Sequence, residues 1–158
     1  MPELQAHDET IFLWSQTPNA ELIAPDGTTS SASSELFTES IVSGSRGAQR
    51  LSVLAEPPPG SWLSLGYTVN IPEGAALATA IRVKGESGSA DFRIRLMRTD
   101  GTMETVFMAE GVKAGEWQEV VLPMAAYWGQ SVVVRLETAV SQPGIKTYWA
   151  NPRLIIDR

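Results

Sequence analysis

Apolar and polar residues alternate along much of this chain, with the two-residue period of a β-strand that buries one face. The alternation is clearest over residues 92–98 and 131–138. The apolar members of these two segments are expected to point into one shared core: Phe92, Ile94, Leu96, Val132, Val134 and Leu136. Sustained helical periodicity is nearly absent, so the pattern favours a protein built from strands.

Thirteen glycines and ten prolines divide the chain into short segments. The clearest turn is Asp100-Gly101, because this pair supplies the positive φ angles that a tight hairpin requires. The segments predicted as strands are 11–15, 35–42, 50–54, 61–69, 77–84, 92–98, 104–108, 118–122, 131–138 and 146–156, the last broken near Pro152. The sequence therefore predicts an all-β fold, a two-sheet antiparallel β-sandwich of the jelly-roll type with about eight to ten strands.

The length of 158 residues suits one domain, so 1–158 is predicted as a single unit in which the serine-rich segment 25–34 is a flexible loop. The absence of cysteine excludes disulfides and thiolate chemistry. The net charge of −6 argues against nucleic acid as a partner, since phosphates require a basic surface. No run approaches the roughly 20 apolar residues of a membrane span.

The first residues are polar and acidic, which is unlike a secretory signal peptide. The expected location therefore depends on the start of the chain. A native start at Met1 indicates a cytoplasmic protein, whereas a module excised from a longer chain is expected outside the cell or at its surface.

A set of short motifs carries a family pattern: 50–53, 57–59, 67–72, Leu77, 117–122, 127–130, 132–136 and 149–153. Together they resemble the galactose-binding-like jelly-roll domains that occur as carbohydrate-binding or accessory modules in bacterial glycosidases, sulfatases and glycosyltransferases. The resemblance covers roughly residues 48–156. Similar modules often place an aspartate just before the tryptophan that precedes the final proline-containing strand, but Thr147 and Tyr148 stand there in this chain. The resemblance therefore does not imply a calcium-binding role at that position.

The resemblance implies a non-catalytic module that binds carbohydrate or accompanies other domains of a larger bacterial protein. The alternative is a structural or interaction domain of the same fold, which docks on a neighbouring domain or forms a homo-oligomer without a small ligand. The two functions require different surfaces. A sugar site needs a groove with an exposed aromatic ring and several polar groups, whereas a docking surface is a flatter apolar patch.

Aromatic residues near predicted loops are the first candidate binding residues, because the apolar face of a sugar stacks on an aromatic ring. Trp62 follows a triple proline, and Tyr127 and Trp128 precede Gly129 between two predicted strands, where a ring can project outward. Trp117 and Trp149 match positions of the family pattern and are expected to have an architectural role instead.

Arg93 and Arg95 are the second candidates, since they lie about 7 Å apart on the face opposite the predicted core. Two like charges at this spacing need acidic neighbours or an anionic or hydroxyl-rich ligand. Asp91 lies on the same face, and Arg135 and Glu137 occupy an equivalent outward row. Cross-strand ion pairing and a binding face both remain open.

Catalytic signals are weak, so the chain is not expected to be an enzyme. The one histidine, His7, lies in a polar N-terminal segment, and there is no glycine-rich phosphate loop and no zinc-ligand spacing. No cofactor is predicted. A structural calcium could use oxygens from loop aspartates, for which Asp8, Asp26, Asp91 and Asp157 are available, but no spacing assigns the ligands.

Overall fold

The computed structural model describes residues 8–43 and 49–157, and twelve strands lie within these ranges. They are β1 (Asp8–Phe12), β2 (Asn19–Ile23), β3 (Thr29–Ser31), β4 (Phe37–Ser43), β5 (Gln49–Ala55), β6 (Trp62–Asn70), β7 (Ala75–Lys84), β8 (Ala90–Arg98), β9 (Met103–Val112), β10 (Gln118–Pro123), β11 (Ser131–Val140) and β12 (Lys146–Asp157). The helical residues within them form three short 3-10 turns: Leu13–Ser15, Ser34–Leu36 and Ala125–Tyr127. None of these is long and apolar enough to cross a membrane.

The strands form two antiparallel sheets that pack face to face, which confirms the predicted two-sheet β-sandwich. The first sheet has the order β10-β7-β12-β5-β4, and β1 pairs with the C-terminal part of β12 beyond the end of β5. The second sheet has the order β3-β2-β6-β11-β8-β9. Its centre is formed by β6, β11 and β8, and this sheet carries the candidate site.

The core lies between the two sheets and contains all six residues that the alternating pattern assigned to it. The ring of Trp149 packs edge-on against Phe92, with 5.3 Å between the ring centroids. Its indole N–H donates to the Thr138 hydroxyl at 3.0 Å, so the buried polar atom is satisfied. The expected architectural role of Trp149 is thus confirmed. Since these side chains point inward, the alternate positions of β6, β8 and β11 point away from the core.

The hairpin between β8 and β9 turns at Asp100-Gly101, as predicted. Gly101 has a φ of +87°, a value that glycine adopts without strain. The Asp100 carboxylate accepts hydrogen bonds from the backbone N–H and the hydroxyl of Thr102, at 2.9 and 2.7 Å. The turn therefore fixes the register in which β9 lies beside β8.

Two strands, β2 and β3, were not predicted, which is why the strand count exceeds eight to ten. The strand β3 is short and exposed, and it lies inside the segment 25–34 that the sequence marked as a loop. Its polar residues carry no apolar alternation, because only its backbone is required to pair with β2. Near Pro152, β12 is not interrupted but bulged, with Asn151 at a φ of 43°.

Candidate functional site

The outer face of the second sheet carries rows of polar residues that strand register places side by side. One row runs from Glu21 on β2 through Ser64 on β6 and Glu137 on β11 to Arg93 on β8. The next row on the same face places Arg135 opposite Arg95. Residues far apart in sequence thus meet because β6, β11 and β8 are neighbours in the sheet.

Glu137 lies at the centre of this face and is 0% exposed, although its side chain points away from the core. Arg93 donates to one carboxylate oxygen, with 2.5 Å between Nε and Oε1. Arg95 bridges both oxygens, with Nε–Oε1 of 2.6 Å and Nη2–Oε2 of 2.9 Å. Arg135 completes the cluster, with 3.0 Å between its Nε and Oε2. Three guanidinium groups therefore share one buried carboxylate.

The protonation state of Glu137 follows from this arrangement. Burial acts to raise the pKa of its carboxyl group, but the hydrogen bonds and charges of Arg95 and Arg93 outweigh burial and bring that pKa below its usual value. The carboxylate is therefore ionised at neutral pH. Because its lone pairs are occupied by arginines, it is not free to act as an acid or a base.

Trp62 extends the polar cluster with an aromatic ring at the beginning of β6. The guanidinium carbon of Arg93 lies 3.9 Å from the centroid of the Trp62 ring, which is the geometry of a cation–π contact. The indole is half-buried, and Arg93 holds it in place while also contacting Glu137. The aromatic surface and the charged cluster are thus joined through Arg93 into one unit.

A groove of about 640 Å³ opens above this unit, and we call it the arginine groove. Its floor carries Trp62, Arg93, Arg95 and Arg135, and its walls include the loop from Ile23 to Gly27 and Met103 at the edge of the sheet. The volume lies within the range of roughly 300–1,000 Å³ that small-ligand sites occupy.

The arginine groove continues along β6 as a smaller hollow of about 90 Å³ over Ser64, Gly66 and Thr68, and Arg135 lines both. Gly66 keeps this part of the floor flat, since a Cβ atom there would lie only 3.1 Å from Cγ1 of Val133. At about 3.3 Å per residue, the stretch from Trp62 to Thr68 spans roughly 20 Å. An elongated ligand can therefore lie along the strand direction.

The sequence candidates do not all meet in this groove. The structure brings together Trp62, Arg93 and Arg95, but Trp128 lies beyond the opposite end of β6, beside Ile71. The length of β6 separates Trp62 from Trp128 by about 25 Å. Trp128 is 40% exposed, and its indole N–H donates to the carbonyl oxygen of Ala75 at 3.0 Å.

Tyr127 requires a correction. The sequence placed its ring in a loop and expected it to project outward, but the residue is only 3% exposed and belongs to the core. The 3-10 turn Ala125–Tyr127 directs this side chain inward and the next one outward. The Arg98 guanidinium carbon lies 4.6 Å from the Tyr127 ring centroid. Tyr127 therefore offers no ring to a ligand.

Arg135 and Glu137 are the site residues that sequence reasoning did not select as binding candidates. Their signal was present, since two charged residues alternate with Leu136 and Val134 in a strand that is otherwise apolar. What the sequence lacked was the register of β11 against β8, which places Glu137 opposite Arg93. The cross-strand ion pairs that the sequence left open are thus present, and the same arginines line a groove.

Two other hollows carry fewer binding groups. One of about 290 Å³ lies beside Tyr67 and Glu39, and Glu39 is the one charged residue in its lining among the described residues. Burial, together with the Glu39 charge, raises the pKa of the Tyr67 hydroxyl far above its usual value. Another of about 520 Å³ lies over the loop 85–89 and has no aromatic ring in the lining that the structure describes.

A structural calcium site would need a cluster of oxygen ligands. Among the described residues, no group of three or more histidine, aspartate or glutamate residues could hold a metal ion. Asp26 accepts hydrogen bonds from Thr28, and Asp91 accepts one from the backbone N–H of Gly111. The side chains of Asp8 and Asp157, and all of His7, lie outside the described residues.

Comparison with known proteins shows a shared fold but no close sequence similarity. No protein-family model matches the chain, and no curated protein matches its sequence. Among solved structures, TmCBM61 in complex with β-1,4-galactotriose superposes with a TM-score of 0.56 at 11% identity, covering 87% of this chain and 88% of that one. A family 11 carbohydrate-binding module from Clostridium thermocellum, in complex with a β-1,3-1,4-mixed-linked tetrasaccharide, gives 0.50 at 12% identity and covers 96% of each chain.

An exo-β-agarase also matches, with a TM-score of 0.57 at 13% identity over 96% of this chain, which corresponds to 25% of the agarase chain. The sandwich in that protein is therefore one part of a longer chain. These similarities show that the chain has the β-sandwich fold found in carbohydrate-binding modules. They confirm the fold that the sequence motifs implied.

Proposed function

We propose that this protein is a non-catalytic carbohydrate-binding module that binds its ligand in the arginine groove. The observation that carries the proposal is the stacked pair of Trp62 and Arg93 in the floor of an open groove. An indole offers an apolar surface to the C–H face of a sugar ring, and guanidinium N–H groups donate to its hydroxyl oxygens. Both kinds of group are held rigidly, which lowers the entropic cost of binding.

Binding without hydrolysis is supported by the ion pairing of the carboxylates near the groove. Glycoside hydrolysis uses two accessible carboxyl groups, one of which donates a proton. Glu137 is buried and ion-paired with three arginines, and its lowered pKa keeps it ionised at neutral pH. Glu21 on the same face is ion-paired as well, with 3.3 Å between its Oε1 and Nη2 of Arg135. Glu137 therefore has no proton to donate to a glycosidic oxygen, so we expect the bound glycan to remain intact.

The test is a titration of the protein with a panel of neutral and acidic polysaccharides, together with the β-1,4-galactotriose and the β-1,3-1,4-mixed-linked tetrasaccharide that are bound in the two fold neighbours. A shallow groove of this kind is expected to bind with a Kd of about 0.1–1 mM, or about −4 to −5.5 kcal/mol. Trp62→Ala should weaken binding at least tenfold, because it removes the ring and the support of Arg93. Thermal unfolding of the variant is the control for folding.

Trp128→Ala is the matched control, since it removes a second surface indole at the opposite end of β6. It should leave the affinity unchanged. If Trp128→Ala abolishes binding while Trp62→Ala does not, the site lies at the other end of the sandwich. If no polysaccharide binds at millimolar concentration and the protein forms a stable dimer or docks on another domain, the structural alternative replaces this proposal.

The module is further proposed to work as an accessory part of a larger protein. The support is the agarase comparison, in which the matching sandwich makes up a quarter of the chain. Binding of a polymer by such a module would keep an attached domain close to its substrate and raise the effective concentration there.

A further inference from the structure

We propose that the arginine groove selects polysaccharides that carry anionic groups, either carboxylate or sulfate, over neutral ones. This inference rests on the proposed function, since it names the class of glycan that the same groove takes. Its basis is the distribution of charge and of unused hydrogen-bond donors around Trp62.

The groove concentrates positive charge in a protein whose net charge is −6. Its lining includes three arginines and, among the described residues, no carboxylate. Within residues 8–43 and 49–157, the carboxylates that contact these arginines are Glu137, which is buried beneath them, and Glu21, which contacts Arg135. The Asp26 carboxylate in the loop beside the groove is occupied by Thr28. Among the residues that the structure describes, three guanidinium groups thus face two carboxylates, which leaves one positive charge without a partner there.

The same arginines keep hydrogen-bond donors that nothing in the described part of the chain uses. Arg93 contacts Glu137 through Nε, so both of its terminal nitrogens are without a protein partner there. Arg95 uses Nε and Nη2, which leaves Nη1. The two side chains are 17% and 21% exposed, respectively, so these donors are within reach of a ligand. Paired guanidinium donors match the two oxygens of a carboxylate or sulfate group.

A neutral sugar would use these donors less well. Covering an uncompensated guanidinium group with a neutral ligand removes water from the charge and supplies no opposite charge in return. An anionic substituent compensates the charge and accepts the hydrogen bonds together. Glu137 holds the arginines in fixed positions, so the ligand does not have to order them.

The experiment compares two matched pairs of polymers on the wild-type protein by isothermal titration. Polygalacturonate and its fully methyl-esterified form share one backbone, but the charged carboxylate of the first is a neutral methyl ester in the second. Dextran sulfate and dextran also share one backbone, and only the first carries sulfate groups. We expect the charged member of at least one pair to bind at least tenfold more tightly than its neutral partner in 150 mM NaCl. The pair that shows the difference identifies carboxylate or sulfate as the recognised group. The advantage should shrink in 1 M NaCl, because salt screens exposed charges.

Arg93→Gln and Arg50→Gln form a matched pair of variants for the same titration. Both remove one positive charge, but Arg50 lies on the other sheet and pairs with Glu119. Arg93→Gln leaves Arg95 and Arg135 on Glu137, so the buried carboxylate stays paired. It should reduce the preference for the charged polymer at least fivefold, whereas Arg50→Gln should not change it.

The outcomes separate this inference from the proposed function. If the neutral polymers bind as tightly as the charged ones and Trp62→Ala weakens both, the groove binds carbohydrate but the anionic preference is wrong. If the charged polymers bind equally to wild type, Arg93→Gln and Arg50→Gln, the attraction is non-specific and the preference is also wrong. If no polymer of this set or of the wider panel binds, both proposals fail.

Discussion

At the residue scale, Glu137 is the side chain that holds three arginines together on the outer face of the second sheet. It is fully buried and receives hydrogen bonds from three arginines that are themselves only partly exposed. A surface ion pair contributes little to stability, whereas removal of one partner from a buried cluster leaves the others uncompensated. Glu137 and the exposed Glu119 therefore provide a direct comparison of the two situations.

Glu137→Gln is expected to lower the free energy of unfolding at pH 7 by about 3 kcal/mol or more, because three guanidinium groups lose their shared anion. Glu119→Gln, which removes the carboxylate 2.6 Å from Arg50 on the protein surface, should cost less than about 1 kcal/mol. Urea unfolding of the two variants measures both values. Equal costs would show that the Glu137 cluster contributes no more than a surface pair.

The same residue sets a pH dependence. The folded-state pKa of Glu137 lies below the usual glutamate value of 4.5, so its stabilising effect is fully present above that value. The effect is lost as the pH falls through the lower folded-state pKa. The difference in unfolding free energy between wild type and Glu137→Gln should therefore be largest at neutral pH and shrink as the pH falls below 4.5. A difference that stays constant from pH 7 to pH 3 would contradict this assignment.

At the element scale, consecutive residues of β8 and β11 point to opposite faces of the sheet. A residue of the core is therefore followed directly by a residue on the groove side. Ile94 is fully buried, whereas its neighbours Arg93 and Arg95 lie on the other face. A slip of one residue in register would exchange the two faces. The hairpin turn at Asp100-Gly101 and the pairing with β11 hold this register.

Ile94→Ala is expected to lower the free energy of unfolding by about 2–5 kcal/mol, because it leaves a cavity in the core. Leu136→Ala should behave in the same way, since Leu136 is opposite Ile94 in the sheet. Val121→Ala on the edge strand β10 is the control, because that side chain is 65% exposed and should change stability by less than about 0.5 kcal/mol. Chemical unfolding of the three variants tests the assignment of faces. A similar small loss in all three would show that the faces are inverted.

The elements that were predictable from sequence are those in which burial is visible as a pattern. The alternation of apolar and polar residues in β8 and β11 predicts which side chains point inward. The Asp100-Gly101 pair predicts the turn between β8 and β9. The strand β3 could not be predicted, because an exposed edge strand is held by backbone pairing and its three polar residues leave no trace of it.

At the scale of the whole molecule, some residues of the candidate site could be predicted from the sequence, but their arrangement in space could not. Trp62, Arg93 and Arg95 were selected one by one, from a loop position and from strand spacing. Their meeting depends on the order β2-β6-β11-β8, which joins residues up to 114 positions apart. The opposite placement of Trp128 and the inward direction of Tyr127 are likewise set by tertiary packing. Local sequence carries no information on either.

Ligand binding should be visible as a change in the stability of the whole domain. A ligand that binds only the folded state, present at ten times its Kd, adds about 1.4 kcal/mol to the free energy of unfolding. For a domain of this size, the melting temperature should rise by about 3–6 °C. Differential scanning calorimetry with and without the best-binding polysaccharide measures the rise, and in Trp62→Ala at the same ligand concentration it should fall to about a third or less. An undiminished rise in that variant would place the ligand elsewhere.

The position of Glu137 beneath the groove also bears on how the protein can diversify. Because this carboxylate supports both the fold and the orientation of the arginines, a substitution there damages stability before it can alter ligand preference. Residues at the rim of the groove, such as Thr29 and Met103, are exposed and do not belong to the buried ion-pair cluster. Evolution toward a new ligand is therefore expected to leave the acidic centre unchanged and to act on the rim around it.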